Sequence, residues 1–118
     1  MSGGYRAKIP LTDDEERIVK EYIFLPLIRM ALERDKKVIN ITNTKFKTHY
    51  IELINEAIHR VTSDMRKNKD DIFNYHIRMT KRNWLSYEVY CKGYIYDFVF
   101  HKSIASDWIN ERIKDYFK

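Results

Sequence analysis

Residues 73–100 carry nine Phe, Tyr or Trp side chains, and the segment opens on a strict period of two. Phe73, Tyr75, Ile77 and Met79 are apolar, while Asn74, His76, Arg78 and Thr80 are polar. Alternation of this kind describes a strand with one buried face. The segments on either side repeat at three and four residues, which is the rhythm of helices. A chain that keeps the two rhythms in separate blocks is expected to be α+β. The expected architecture is two long helices, the first kinked at Pro26, then an antiparallel β-hairpin and a C-terminal helix.

The first helix has the clearest start. Thr12-Asp13-Asp14-Glu15 is a capping box, in which Thr12 accepts from the backbone at Glu15 and Glu15 reaches back to Thr12. Asp13, Asp14 and Glu16 add negative charge at the positive end of the helix dipole. Ile18, Tyr22, Leu25, Ile28 or Arg29, and Leu32 mark a buried face, and the pattern runs to about Lys37. Pro26 falls inside it, removes a backbone donor, and is expected to kink or split the helix near residues 22–25. Residues 38–47 read as a loop, because Asn40, Thr42, Asn43 and Thr44 compete for backbone hydrogen bonds. Phe46 is expected to fold back as an anchor. The second helix is expected from Thr48 as N-cap, with Tyr50, Ile54, Ala57 or Ile58, Val61 and Met65 buried. It is expected to fray into a charged turn at residues 66–71. The last helix is expected from about Ile104 to Phe117, capped by Ser103, with Ile104, Trp108, Ile109, Ile113, Tyr116 and Phe117 on its apolar face.

Hydrophobic matching sets the hairpin register, since a one-residue slip exposes a whole face. A three-residue loop, Lys81 to Asn83, or a five-residue one of the same parity, places Met79, Ile77, Tyr75 and Phe73 opposite Leu85, Tyr87, Val89 and Cys91, all apolar. Asn83 tolerates the left-handed conformation that such a loop needs. His76 then lies opposite Glu88 on the outer face, Arg78 opposite Ser86, and Asn74 opposite Tyr90. After Cys91 the phase changes, and Gly93 is read as a bulge. The second strand then runs to Phe100 and outreaches its partner. That overhang needs a cover from the helices, from residues 5–9 as an edge strand, or from another protomer.

A chain of 118 residues reads as one domain with a polar arm at 1–11. No membrane span is expected, since the longest apolar run, Tyr22 to Ile28, is interrupted by Pro26 and spanning takes about 20 residues. The N-terminal residues lack the apolar stretch of a signal peptide. The single cysteine, Cys91, excludes an internal disulfide and points to a reducing cytoplasmic home. Lys and Arg number 22 against 17 Asp and Glu, a net charge of +5 that is compatible with an acidic partner.

Catalytic chemistry finds little footing. In the expected register Cys91 is a small buried hydrophobe rather than a nucleophile. His49, His59, His76 and His101 lack metal-ligand spacing, and no Gly-rich phosphate loop exists. Glu52 and Glu56 share a helix face, a pattern open to acid–base work or to plain solvation. No cofactor or metal is expected. The candidate interaction surface is the hairpin. Arg78, Lys81, Arg82 and Lys92 lie on or near its tip and outer face, interleaved with His76, Trp84 and Tyr90, with Tyr94 and Tyr96 on the overhang. Arg66, Lys67 and Lys69 are expected to stand nearby. Basic residues attract phosphate, and exposed aromatics stack on bases.

Several short segments carry a resemblance. They are Leu25-Pro26-Leu27, the run from Glu33 to Ile39, the run Phe46-Lys47-Thr48-His49-Tyr50-Ile51-Glu52-Leu53-Ile54, and Gly93-Tyr94. In these the chain resembles the YhjD-like family of small proteins from Bacillus and relatives. The resemblance implies a small bacterial cytosolic protein, and it carries over no catalytic residue. The resulting expectation is a non-enzymatic interaction or regulatory module that associates with itself or with another protein. Nucleic-acid binding through the basic hairpin is the alternative.

Overall fold

In the computed structural model the described residues are 5–6, 9–43 and 45–118. The elements run β1 (Tyr5–Arg6), α1 (Asp13–Ile41), α2 (Lys47–Asn74), β2 (Arg78–Asn83), β3 (Ser86–Cys91), β4 (Tyr94–Val99) and α3 (Lys102–Ile113), with a closing 3-10 turn over Lys114–Phe117. The class is α+β. Two helices of 29 and 28 residues form an αα-hairpin. A sheet of order β1-β4-β3-β2 packs against one end of it. The molecule measures 57 × 26 × 24 Å, its long axis set by helices of about 43 Å.

The capping box forms as the residues dictate. The Thr12 amide donates to Glu15 Oε1 at 2.9 Å, and the Glu15 amide donates to Thr12 Oγ1 at 3.2 Å. From there α1 is one unbroken helix through Pro26 to Ile41, neither split nor ended at Lys37. Pro26 lacks an N–H, so the helical bond from residue 26 to the Tyr22 carbonyl is missing. The helix continues because its burial is two-sided. Ile18, Val19, Ile23 and Phe24 pack on Ile77, Leu85, Tyr87, Val89 and Cys91 of the sheet side. Leu25, Ile28 and Leu32 pack on Ile54, Ala57 and Val61 of α2 and on Tyr116. A helix clamped between two cores tolerates one lost hydrogen bond.

Helix α2 departs from expectation at both ends. Its N-cap is Phe46, not Thr48, and Phe46 stays 57% exposed instead of anchoring. It does not fray at residues 66–71 but runs to Asn74. The buried stripe passes through that charged stretch by way of Asn68, whose Nδ2 donates to the Ile18 carbonyl at 2.9 Å, and on to the partly buried Ile72. An amide at a core position hides the period, because sequence reading counts it as polar.

The alternation that begins at Phe73 is a coincidence of a helix end. The Ile77 amide donates to the Ile72 carbonyl at 3.0 Å and the His76 amide to the Phe73 carbonyl at 3.1 Å, with His76 at φ 53°. These two bonds around a left-handed residue are a Schellman motif that closes α2. Phe73 is helical and 79% exposed, and Tyr75 is exposed too, so neither belongs to a strand core. Pairing starts at Arg78↔Tyr90 and continues through Met79↔Val89, Thr80↔Glu88 and Lys81↔Tyr87. The expected pairs of Met79 with Leu85 and Arg78 with Ser86 are therefore four residues out of register. The faces survive the error, because an even slip returns each side chain to its own side.

The connection is the two-residue turn Trp84–Leu85, flanked by Asn83↔Ser86, with an irregularity between Lys81 and Asn83. Asn83 does not adopt positive φ. Its side-chain oxygen accepts from the Leu85 amide at 3.0 Å and holds the turn that way.

Lys92 and Gly93 have φ of 55° and 81°, and Cys91 pairs with Tyr94. This is a two-residue hairpin turn of the primed kind, not a bulge. It folds the supposed overhang back as β4, which pairs with β3 from Cys91↔Tyr94 to Ser86↔Val99. The backbone of Tyr5–Arg6 lies parallel against the other side of β4. The rest of the expected 5–9 edge strand falls partly on residues 7–8, outside the described set. At α3 the cap is His101, whose Nδ1 accepts from the Ser103 amide at 3.2 Å, so Ser103 lies inside the helix. Ile104 and Phe117 are exposed, while Trp108, Ile109, Ile113 and Tyr116 face the cores.

Candidate functional site

The second turn of the aromatic segment divides the candidate surface among two hairpin turns, the outer face of the sheet and a groove beside the helices. Trp84 sits at the turn between β2 and β3, and Lys92 at the turn between β3 and β4. These turns are at opposite ends of a six-residue strand, roughly 20 Å apart. Arg82 is held by Glu88 and lies 3.4 Å from Asp97. The Tyr90 hydroxyl donates to Glu88 at 2.6 Å. Arg82, Glu88, Asp97 and Tyr90 thus form one network on the outer face. Arg78 is exposed on that face opposite Tyr90, and His76 is exposed at the end of α2. Tyr94 is half-buried, and the Tyr96 hydroxyl donates to the Ile9 carbonyl at 2.9 Å.

Lys92 belongs to a different cluster. Its Nζ lies 3.0 Å from Glu15 Oε2, and the Cys91 thiol donates to the same oxygen at 3.3 Å. Glu15 is 3% exposed. Burial alone pushes its carboxyl up, but the Thr12 amide, Lys92, Cys91 and the Thr12 hydroxyl outweigh that and bring it down to about 2. Burial, with the hydrogen bond to Glu15 and its charge, pushes the Cys91 thiol up to about 11. Cys91 is therefore inward-facing, as the sequence suggests, and protonated at neutral pH. Native protein is expected to react with a thiol reagent such as Ellman's at least about 100-fold more slowly than protein in urea, because only the thiolate attacks. Equal rates in the two conditions contradict this placement.

A second polar network went unread in the sequence. Arg112 of α3 donates to Glu21 Oε2 at 2.8 Å, and its Nε donates to the Tyr116 hydroxyl at 3.2 Å. The Tyr116 hydroxyl donates in turn to Asp64 at 2.6 Å. The Arg112 guanidinium also stacks 5.5 Å from the Trp108 ring centre. Burial and Asp64 push Tyr116 up to about 12, against the opposing pull of Arg112. These groups tie α1, α2 and α3 together. Trp108, Arg112 and Tyr116 follow at steps of four residues, but nothing in the spacing signals Glu21 and Asp64, which lie far from them along the chain.

Two surfaces remain open. The first is a groove of about 680 Å³ between α1, α2 and the β2–β3 hairpin. Here Lys81 lines the same groove as Arg66 and Lys69, with Arg29 across from them, while Lys67, expected beside them, is not part of the lining. The second is the far end of the αα-hairpin. From residue 33 to residue 53 no described side chain is fully buried, yet Val38, Ile41, Phe46, Tyr50 and Leu53 are there and exposed, Ile41 at 87%. Glu52 and Glu56 are exposed on the adjoining surface, and Glu56 pairs with Arg60 at 3.1 Å. His49 and His59 are exposed as well.

The family model described as YhjD protein matches residues 10–118. The chain belongs to the YhjD family. No curated protein and no solved structure matches it. The match runs through α1, α2, the three antiparallel strands and α3, so it covers both the groove and the hairpin end of this YhjD-family protein. Among the described residues no helix is long and apolar enough to cross a membrane.

Proposed function

We propose that this YhjD-family protein is a binding module rather than an enzyme, and that it pairs with a second copy of itself through the far end of the αα-hairpin. The observation that carries this reading is the exposed stripe Phe46, Tyr50 and Leu53. Spacing of i, i+4 and i+7 is how a helix presents a face to another helix. Alongside it His49, Glu52 and Glu56 repeat at i, i+3 and i+7, and Lys45, in the turn before the helix, lies over the Phe46 ring. That flank is basic at its start and acidic at its end. Two such helices packed antiparallel about a two-fold axis near Tyr50 bring Phe46 against Leu53 of the other copy. They also bring Lys45 toward the other copy's Glu52. An isologous contact needs a patch that complements itself in this way.

The overhanging strand no longer argues for self-association, because β4 is paired along its length with β3. A nucleic-acid partner on the hairpin has less behind it. Arg82 is engaged by Glu88, and Lys92 by Glu15 at the opposite end of β3.

Sedimentation velocity from low to high micromolar concentration is expected to show a rising dimer fraction. Leu53→Lys, at an exposed position, is expected to abolish the dimer while leaving the far-ultraviolet circular dichroism unchanged. A wild-type monomer at every concentration rejects the reading, as does a Leu53→Lys variant that dimerises like wild type.

A further inference from the structure

The groove between the helices and the sheet is walled by two helix stripes and one cross-strand pair. Tyr22, Pro26 and Arg29 stand at i, i+4 and i+7 on α1. Thr62, Arg66 and Lys69 stand at the same spacing on α2, with Met65 beside them. Lys81 and Tyr87 are a cross-strand pair between β2 and β3. Four cations on three elements thus border one cleft, and none of them is in an ion pair among the described residues. The acid in the wall, Glu21, has both oxygens occupied, Oε1 by Arg17 and Oε2 by Arg112, each at 2.8 Å. Its charge is therefore answered from within the protein, and the four cations are left uncompensated.

Tyr87 adds an independent sign. It is 8% exposed, and its hydroxyl has no hydrogen-bond partner among the described residues. Its ring meets Tyr22 edge-on, with centroids 6.1 Å apart. Burial, with Tyr22 beside it, raises its pKa, so the hydroxyl stays a donor. No buried side-chain polar atom lacks a partner among the described residues, so this hydroxyl reaches the surface of the groove that Tyr87 lines, where it is open to a ligand.

We propose that this groove binds a small phosphorylated molecule, with Arg29, Arg66, Lys69 and Lys81 on its phosphate oxygens and the Tyr87 hydroxyl donating to it. Several uncompensated cations call for a multiply charged anion, and two guanidinium groups suit phosphate geometry better than ammonium groups alone. The volume falls in the range of small-ligand sites, about 300–1,000 Å³. Met65 and the Pro26 ring supply an apolar surface for the uncharged part of the ligand. The site is distinct from the hairpin end, so it stands whether or not the protein dimerises.

Calorimetric titration with inorganic pyrophosphate and, separately, with a nucleoside diphosphate tests this. Both are expected to bind at low salt and more weakly at physiological salt. Pyrophosphate binding as tightly as the diphosphate assigns the site to bare phosphate, and tighter diphosphate binding assigns it to a phosphate ester. The double variant Arg66→Gln/Lys69→Gln is expected to weaken binding at least about tenfold, and Tyr87→Phe severalfold. All four cations are exposed, so their substitution leaves the fold intact. Lys36→Gln/Lys37→Gln removes the same charge outside the groove and is expected to change affinity less than about twofold. Two results overturn the proposal. They are equal loss in the two double variants, and no binding of either probe at low salt, where binding of a single-stranded oligonucleotide instead assigns the groove to nucleic acid.

Discussion

Phe24→Ala is expected to destabilise the protein by about 3–5 kcal/mol, while Phe73→Ala is expected to change stability by less than about 0.5 kcal/mol. Phe24 is fully buried in α1. Its ring centre lies 4.9 Å from that of Phe100 and 5.0 Å from that of Trp108, so it joins the end of the sheet to α3. Truncation removes the apolar burial and leaves a cavity among three elements that cannot all close on it. Against a typical domain stability of about 5–15 kcal/mol, that is a large share. Phe73 is a helical residue that faces solvent. Urea unfolding of both variants checks the pair, with the midpoint moving and the slope constant for Phe24→Ala. If Phe73→Ala is the more damaging of the two, the end of α2 is misplaced and residues 73–77 are strand after all.

The second large effect is carried by pH. Glu15 joins the N-terminal cap of α1 to the β3–β4 turn through Thr12, Cys91 and Lys92. Its folded carboxyl sits at about 2 against an ordinary 4.5. The folded state therefore favours the carboxylate, and the unfolded state takes up the proton first as pH falls. The stabilisation is fully present above pH 4.5 and is lost as pH drops through that value toward 2. At about 1.4 kcal/mol per unit, the effect is about 3 kcal/mol at neutral pH. Glu15→Gln is expected to lower stability by this order at pH 7 and to flatten the acid limb of the stability curve below pH 4.5. Urea midpoints measured from pH 7 down to pH 2 decide it. Parallel acid limbs for wild type and Glu15→Gln assign the acid sensitivity to other carboxylates.

Local chemistry was legible where partners are neighbours along the chain. The Thr12/Glu15 box closes within one turn, so the start of α1 reads directly from four residues. The buried set of Leu85, Tyr87, Val89 and Cys91 also reads correctly, because a strand's faces follow parity alone. Register did not read, since slips by an even number of residues bury the same side chains and the hydrophobic pattern scores them alike. In the sequence the Lys92-Gly93 turn reads as a bulge at Gly93, because both devices change the phase of alternation. Only the pairing of Cys91 with Tyr94 separates them. Of the candidate surface, Lys81 with Arg66 and Lys69 was legible as basic residues from adjoining segments. Arg29 was not, because it lies in a helix whose packing on α2 and β2 decides what it borders.

By itself the sequence determined the class, the start of α1, the interior position of Cys91 and the inward face of β3, since each follows from bonding or periodicity within a few residues. The tertiary structure alone decided that α1 survives Pro26, that α2 runs through its charged stretch, and that the aromatic segment turns twice. Two cores hold α1 from both sides, Asn68 spends its amide on the Ile18 carbonyl, and His76 takes a left-handed backbone to end α2. The same long-range packing leaves the far end of the αα-hairpin without cover and gathers four cations around one groove. Those outcomes depend on residues distant in the chain and near in space, and no local pattern encodes them.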